Sequence, residues 1–185
     1  MPSSHRLDRR SPLVVETHDL ARRPGTMRQV QREVPAPVGM GVDMIAVPEG
    51  SPIWLDLRLE SAMEGVLVTG SADVRLHAEC ARCLRVFDYD DTFDLQELFF
   101  YPGREAEEDA RWVVDESIDL EEVLRDAVVL ELPFTPLCQE DCAGLCVTCG
   151  VNLNDQPDHG HDDTFDPRWA GLARLTGTEE SNTTL

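Results

Sequence analysis

Six cysteines and two late histidines constrain this chain more than any other feature. They fall as Cys80-x2-Cys83, Cys138-x3-Cys142, Cys146-x2-Cys149 and His159-x-His161. A Cys-x2-Cys pair on a tight turn points both sulfurs to one side. Gly150 directly after Cys149 gives the pattern of a zinc knuckle, where glycine takes a left-handed conformation and backbone N–H groups turn towards the sulfurs. Zinc suits such turns because it takes four soft or borderline ligands in a tetrahedron and brings no redox chemistry. From Pro133 the chain is short-looped, rich in Cys, Gly, Pro and Asp, and poor in periodic apolar residues. Such a segment buries too little surface to offset the entropy lost on ordering, so it needs a staple.

Eight donors make two sites of four. The preferred partition joins Cys146, Cys149, His159 and His161 on one zinc, and Cys80, Cys83, Cys138 and Cys142 on the other. A single site from Cys138, Cys142, Cys146 and Cys149, or a ribbon pairing the two Cys-x2-Cys turns, satisfies the same spacings. His159 and His161 also lie in an acidic run, DHGHDD, that a solvated loop would carry equally well. A redox dithiol lacks the surrounding βαβ pattern. Disulfides are disfavoured in the reducing compartment assigned below. His77 alternates onto the strand face opposite Ala78 and reads as structural.

The remaining pattern is that of an α+β chain. Ile53, Leu55, Leu57 and Leu59 alternate with polar neighbours, the period of a half-buried antiparallel strand. Glu64-Gly65 turns the chain, and Val66, Val68, Ala72, Val74, Leu76 and Ala78 continue on one face. Alternation resumes at Phe87, so the turn at 80–84 carries two thiols. Leu13–Val15 is strand-like, whereas Met27–Val34 carries apolar residues too loosely spaced to assign. A helix is expected from near Ser117 or Asp119 to Pro133, with Asp119 and Glu122 as a capping box. Leu120, Val123, Leu124, Ala127 and Val128 form its apolar face. The expected architecture is an antiparallel meander or partly closed barrel packed by one main helix, with a C-terminal zinc-stapled loop lobe. Its divisions are a tail at 1–10, the β core with its helix at 11–132, the zinc lobe packed on it at 133–168, and a tail at 176–185.

The formal net charge is −20. Residues 1–50 hold seven Arg against six acids; the rest holds nine Arg against thirty. Such a surface repels free nucleic acid, and it suits a basic protein partner as well as simple solubility. No run approaches the roughly 20 apolar residues of a membrane span. The N-terminus lacks an apolar signal-peptide segment, so the expected location is cytoplasmic. Four strong donors close each proposed site, and there is no His-Glu-x-x-His, phosphate-binding Gly-rich loop or nucleophile elbow, so no enzyme is expected.

Cys80-Ala-Arg-Cys83-Leu after a strand, Ile118-Asp-Leu leading to Leu132-Pro133, and Pro136-Leu-Cys138 through Cys149-Gly-Val-Asn152-Leu-Asn154 together resemble the YceD family, over roughly residues 11–165. The resemblance implies a non-enzymatic role in large-subunit ribosome biogenesis and in accumulation of its RNA, and the acidic surface adds the expectation of a basic ribosomal protein or assembly intermediate as partner. Many relatives carry Cys-x-Cys where this chain has His159-x-His161, which favours the preferred partition and two zinc ions. A zinc-dependent redox-sensitive chaperone or regulator is the alternative. An RNA hydrolase would need an open coordination position.

Overall fold

The computed structural model describes residues 7–20, 23–105, 107 and 109–161. Residues 1–6 of the expected tail at 1–10, the expected tail at 176–185, and residues 162–168 of the expected lobe lie outside them. The described chain contains nine strands: β1 (Val14–Glu16), β2 (Met27–Pro35), β3 (Gly41–Val42), β4 (Ile45–Ala46), β5 (Pro52–Ser61), β6 (Gly65–Glu79), β7 (Val86–Phe100), β8 (Arg111–Trp112) and β9 (Ser117–Asp119). One α-helix, α1 (Glu121–Glu131), follows them.

Alternation makes the central sheet. Ile53, Leu55, Leu57 and Leu59 of β5 are fully buried, as are Val66, Val68, Ala72, Val74, Leu76 and Ala78 of β6. β6 and β7 pair antiparallel over fifteen residues, from Gly65 opposite Phe100 to Glu79 opposite Val86. β5 pairs with β6, and β2 pairs with β5. β4 pairs with the far end of β6 and carries β3. β8 joins β7 in the one parallel pair among the described residues. The meander is formed, and no pairing between described residues links β2 to β8 to close it fully. Gly70 is required where β5 crosses closely, because a Cβ there would lie 2.1 Å from the Asp56 carbonyl oxygen.

β2 is the strand that the apolar spacing left unassigned. Its inner-face positions, opposite Leu59, Leu57, Leu55 and Ile53, are Arg28, Val30, Arg32 and Val34. Inward charges on an edge strand discourage pairing with another chain, and they also remove the periodicity by which a strand is read. β1 and β9 form a separate two-stranded ribbon, with Val15 opposite Ile118 and both buried.

The helix begins later than the capping-box pattern implies. Residues 117–119 are strand, Leu120 occupies the cap position, and no side chain caps it. Asp119 instead accepts a hydrogen bond from the Glu121 N–H at 3.0 Å. Pairing of β9 with β1 claims the backbone that the box would have used. Leu120, Val123, Leu124 and Val128 are buried, and α1 lies against β7 and β3. Arg111 ties strand to helix through Glu97 at 2.9 Å and Asp126 at 2.5 Å.

The chain divides into two compact units, Met1–Gly144 and Leu145–Leu185. No helix among the described residues is long and apolar enough to cross a membrane.

Leu124 is fully buried and Leu130, on the same helix, is 83 % exposed. Leu124→Ala should therefore cost about 2–5 kcal/mol in denaturant unfolding, and Leu130→Ala no more than about 0.5 kcal/mol.

Candidate metal centres

The turn between β6 and β7 holds the first thiol pair. Cys80 N–H donates to the Arg85 carbonyl and Leu84 N–H to the Cys80 carbonyl, each at 2.9 Å. The second knuckle repeats both bonds at 2.8 Å: Cys146 N–H to the Val151 carbonyl, and Gly150 N–H to the Cys146 carbonyl. The fifth residue of each turn is left-handed, Leu84 at φ 57° and Gly150 at φ 74°. Glycine adopts this conformation freely, whereas leucine does so at a cost that the surrounding hydrogen bonds must offset. Two unlike sequences thus fold into one backbone shape.

In the first unit, the segment after α1 brings two more thiols to the β6–β7 turn. Ala81 N–H donates to the Pro136 carbonyl at 2.8 Å, and the Arg82 guanidinium donates to the Cys142 carbonyl at 2.9 Å. Gly144 is left-handed, and a Cβ there would approach the Arg82 carbonyl oxygen to 3.2 Å. Cys80, Cys83, Cys138 and Cys142 converge as a result, all but Cys138 buried. Their sulfurs are 3.7 Å apart between Cys80 and Cys142, and 3.6 Å between Cys83 and Cys138. Zn–S bonds of about 2.3 Å in a tetrahedron put sulfurs about 3.8 Å apart, so the spacing fits that ion. No disulfide joins any of the six cysteines.

The second unit gathers Cys146, Cys149, His159 and His161. Cys146 Sγ lies 3.2 Å from His161 Nε2, and Cys149 Sγ lies 3.2 Å from His159 Nε2. The two Nε2 atoms are 3.0 Å apart, with the rings edge-on. These spacings are slightly tighter than a zinc tetrahedron, for which about 3.3–3.6 Å is expected. Leu145 bridges Asn152, and Asn152 Oδ1 accepts from the Asn154 N–H at 3.0 Å, folding the intervening loop. This cluster is half-exposed, and Cys149 faces solvent.

Electrostatics separate the thiols. Burial pushes Cys80 up, but hydrogen bonds from the backbone N–H groups of Cys138, Cys83 and Arg82 outweigh it and bring the thiol to about 6. Burial, with hydrogen bonds to Cys83, Cys80 and Cys142, pushes Cys138 up to about 12. Backbone N–H groups of Cys149 and Thr148 bring Cys146 down to about 6, against burial. A dication replaces the remaining protons and turns every cysteine in a cluster into thiolate. With four donors around it, such an ion has no open position for water.

All eight ligand candidates read from spacing are in these two groups. His77 stands apart, more than half exposed on β6 with Nδ1 2.7 Å from Asp88 Oδ1. Spacing alone could not show the buttress around the first cluster, Arg82 with Gly144; a guanidinium inside a Cys-x2-Cys turn was its only trace.

Residues 68–176 match the family model of large ribosomal RNA subunit accumulation protein YceD. The chain is 45 % identical over 174 residues to an uncharacterized protein of Mycobacterium tuberculosis, covering 91 % of this chain and 84 % of that one. It is 42 % identical over 178 residues to an uncharacterized protein of Mycobacterium leprae, covering 94 % and 82 %. A 40-residue stretch is 45 % identical to the chloroplastic large ribosomal RNA subunit accumulation protein YCED homolog 1 of Zea mays, covering 22 % of this chain and 14 % of that protein. No solved structure matches.

In the metal-free protein, Cys80 and Cys146 should ionise near pH 6, read as thiolate absorbance. Both values lie below the ordinary thiol range. Their stabilising effect is therefore complete above that range and is lost as pH falls through about 6. Cys146→Ser should remove one of the two steps.

Proposed function

The chain belongs to the YceD family, and from that premise we propose that it is a zinc-binding factor supporting accumulation of large-subunit ribosomal RNA. Members of this family are non-catalytic. The observation that carries the zinc reading is the convergence of eight cysteine and histidine donors into two groups of four. In this reading each group holds one zinc as a structural staple. The name of the Zea mays relative supports the connection to ribosomal RNA.

The proposed partner is a basic ribosomal protein or a large-subunit assembly intermediate, met in the cytoplasm. The net charge of −20 supports a basic partner over free RNA. Exposure of Cys149 beside a Cys146 that ionises readily also supports a second reading, a redox-sensitive chaperone or regulator. Peroxide titration separates the two: a staple keeps its zinc at peroxide levels that would empty a sensor.

Metal analysis of untagged protein should give close to two zinc per chain. His159→Ala with His161→Ala should lose one, and Cys80→Ser with Cys83→Ser the other. A value near zero for the unaltered chain would refute zinc binding. Loss of the protein from its cell should lower large-subunit RNA relative to small-subunit RNA, and the tagged protein should recover large-subunit components at moderate salt. Unchanged RNA and an empty pull-down would reject the ribosomal role.

A further inference from the structure

A groove of about 420 Å³ runs between the β1–β9 ribbon and the inner face of β2, within the first unit. Across the whole chain acids outnumber basic residues, 36 to 16. Here Arg9, Arg28 and Arg32 line the groove with one carboxylate, Glu16, while Asp115 and Asp19 pair with Arg9 and Arg28 from outside its lining. Inward arginines on an edge strand have a plain use, which is to block pairing with another chain. That use accounts for Arg28, which is held by both carboxylate oxygens of Asp19 at 2.8 Å and by the Glu16 carbonyl. It does not account for Arg32.

Arg32 is half-buried, and its side chain has no hydrogen-bond or carboxylate partner among the described residues. The charge that acts on it is another cation. Burial first, and Arg28 second, hold its pKa below the ordinary arginine value. The Nε atoms of both Arg28 and Arg32 are shielded from water without an acceptor. Buried donors of this kind are rare in folded proteins because leaving them unpaired is costly. An anion in the groove would supply the missing countercharge.

We propose that this groove binds a small phosphate-bearing anion, with the Arg32 guanidinium as its anchor and Arg28 and Arg9 flanking it. Arg32 offers a whole fork and Arg28 its Nε, while the remaining donors of Arg28 are taken by Asp19 and Glu16 and Arg9 is bonded to Asp115. A phosphate, with more oxygens and more charge than a carboxylate, engages such a set more fully. Ser11 adds a hydroxyl to the lining, the Ser117 hydroxyl is taken by the Asp115 carbonyl, and three valines form the apolar remainder. The acidity of the rest of the chain disfavours a long polyanion. None of the groove residues is among the eight cysteine and histidine donors, and only Ser117 lies within the 68–176 family match.

Calorimetric titration of the metal-loaded full chain with inorganic phosphate, at constant ionic strength, tests this. Saturable binding is expected, weakened about tenfold or more in Arg32→Gln and less in Arg32→Lys, which keeps the charge but not the fork. Arg58→Gln, an exposed residue of β5 outside the groove, should bind as the unaltered chain does. A single-stranded RNA oligonucleotide should show no Arg32-dependent binding. Absence of phosphate binding, equal binding by Arg32→Gln in a folded protein, or Arg32-dependent binding of the oligonucleotide alone would overturn the proposal.

Discussion

The fifteen-residue register between β6 and β7 is the constraint on which the first unit rests. β6 offers its other edge to β5 and β4, while β7 carries β8 and supports α1. A slip of one residue would turn every buried side chain of one strand outward. It would also swing the 80–85 turn, and with it Cys80 and Cys83, away from the segment after α1. Core packing and metal-ligand geometry are therefore set by the same pairing. The long ladder makes the position of two thiols as definite as that of the leucines behind them.

Some of this is readable from residue spacing and some is not, for physical reasons. β5 and β6 are legible because one face is apolar at almost every second position, and β7 because Phe87, Tyr89 and Phe93 keep the same period despite Asp91. α1 is legible because Leu120, Val123, Leu124 and Val128 share a stripe. β2 is not, since Arg28 and Arg32 occupy inner-face positions where a reader looks for apolar residues. The Asp119 capping box misleads because local pattern competes with long-range pairing: β9 meets β1 about a hundred residues earlier in the chain. The ligand types at the metal centres are evident from spacing. Gathering Cys80 and Cys83 with Cys138 and Cys142 is the preferred partition, but spacing alone also allows two others, because the choice depends on how the sheet returns the chain to its own turn.

The paired knuckles show how far backbone hydrogen bonding can impose a shape on different residues. Gly150 enters the left-handed region without a side-chain penalty. Leu84 reaches the same region with one, and the same two hydrogen bonds hold it there. In both turns the N–H groups aimed at sulfur favour thiolate before any metal arrives. Cys80 and Cys146 are thus pre-set for a cation, which lowers the reorganisation needed on binding, whereas Cys138 must give up its proton.

The two clusters differ in the length of chain that each one closes. The second lies within a short stretch from Cys146 to His161, whereas the first spans Cys80 to Cys142 and encloses β7, β8, β9 and α1. A bond across the longer loop removes more freedom from the unfolded chain. During synthesis, the first cluster waits for the helix and the segment after it to leave the ribosome, while the second can form from residues that emerge almost together. An ion in the first cluster would then act as a latch on a finished fold, and an ion in the second as a nucleus for a local one.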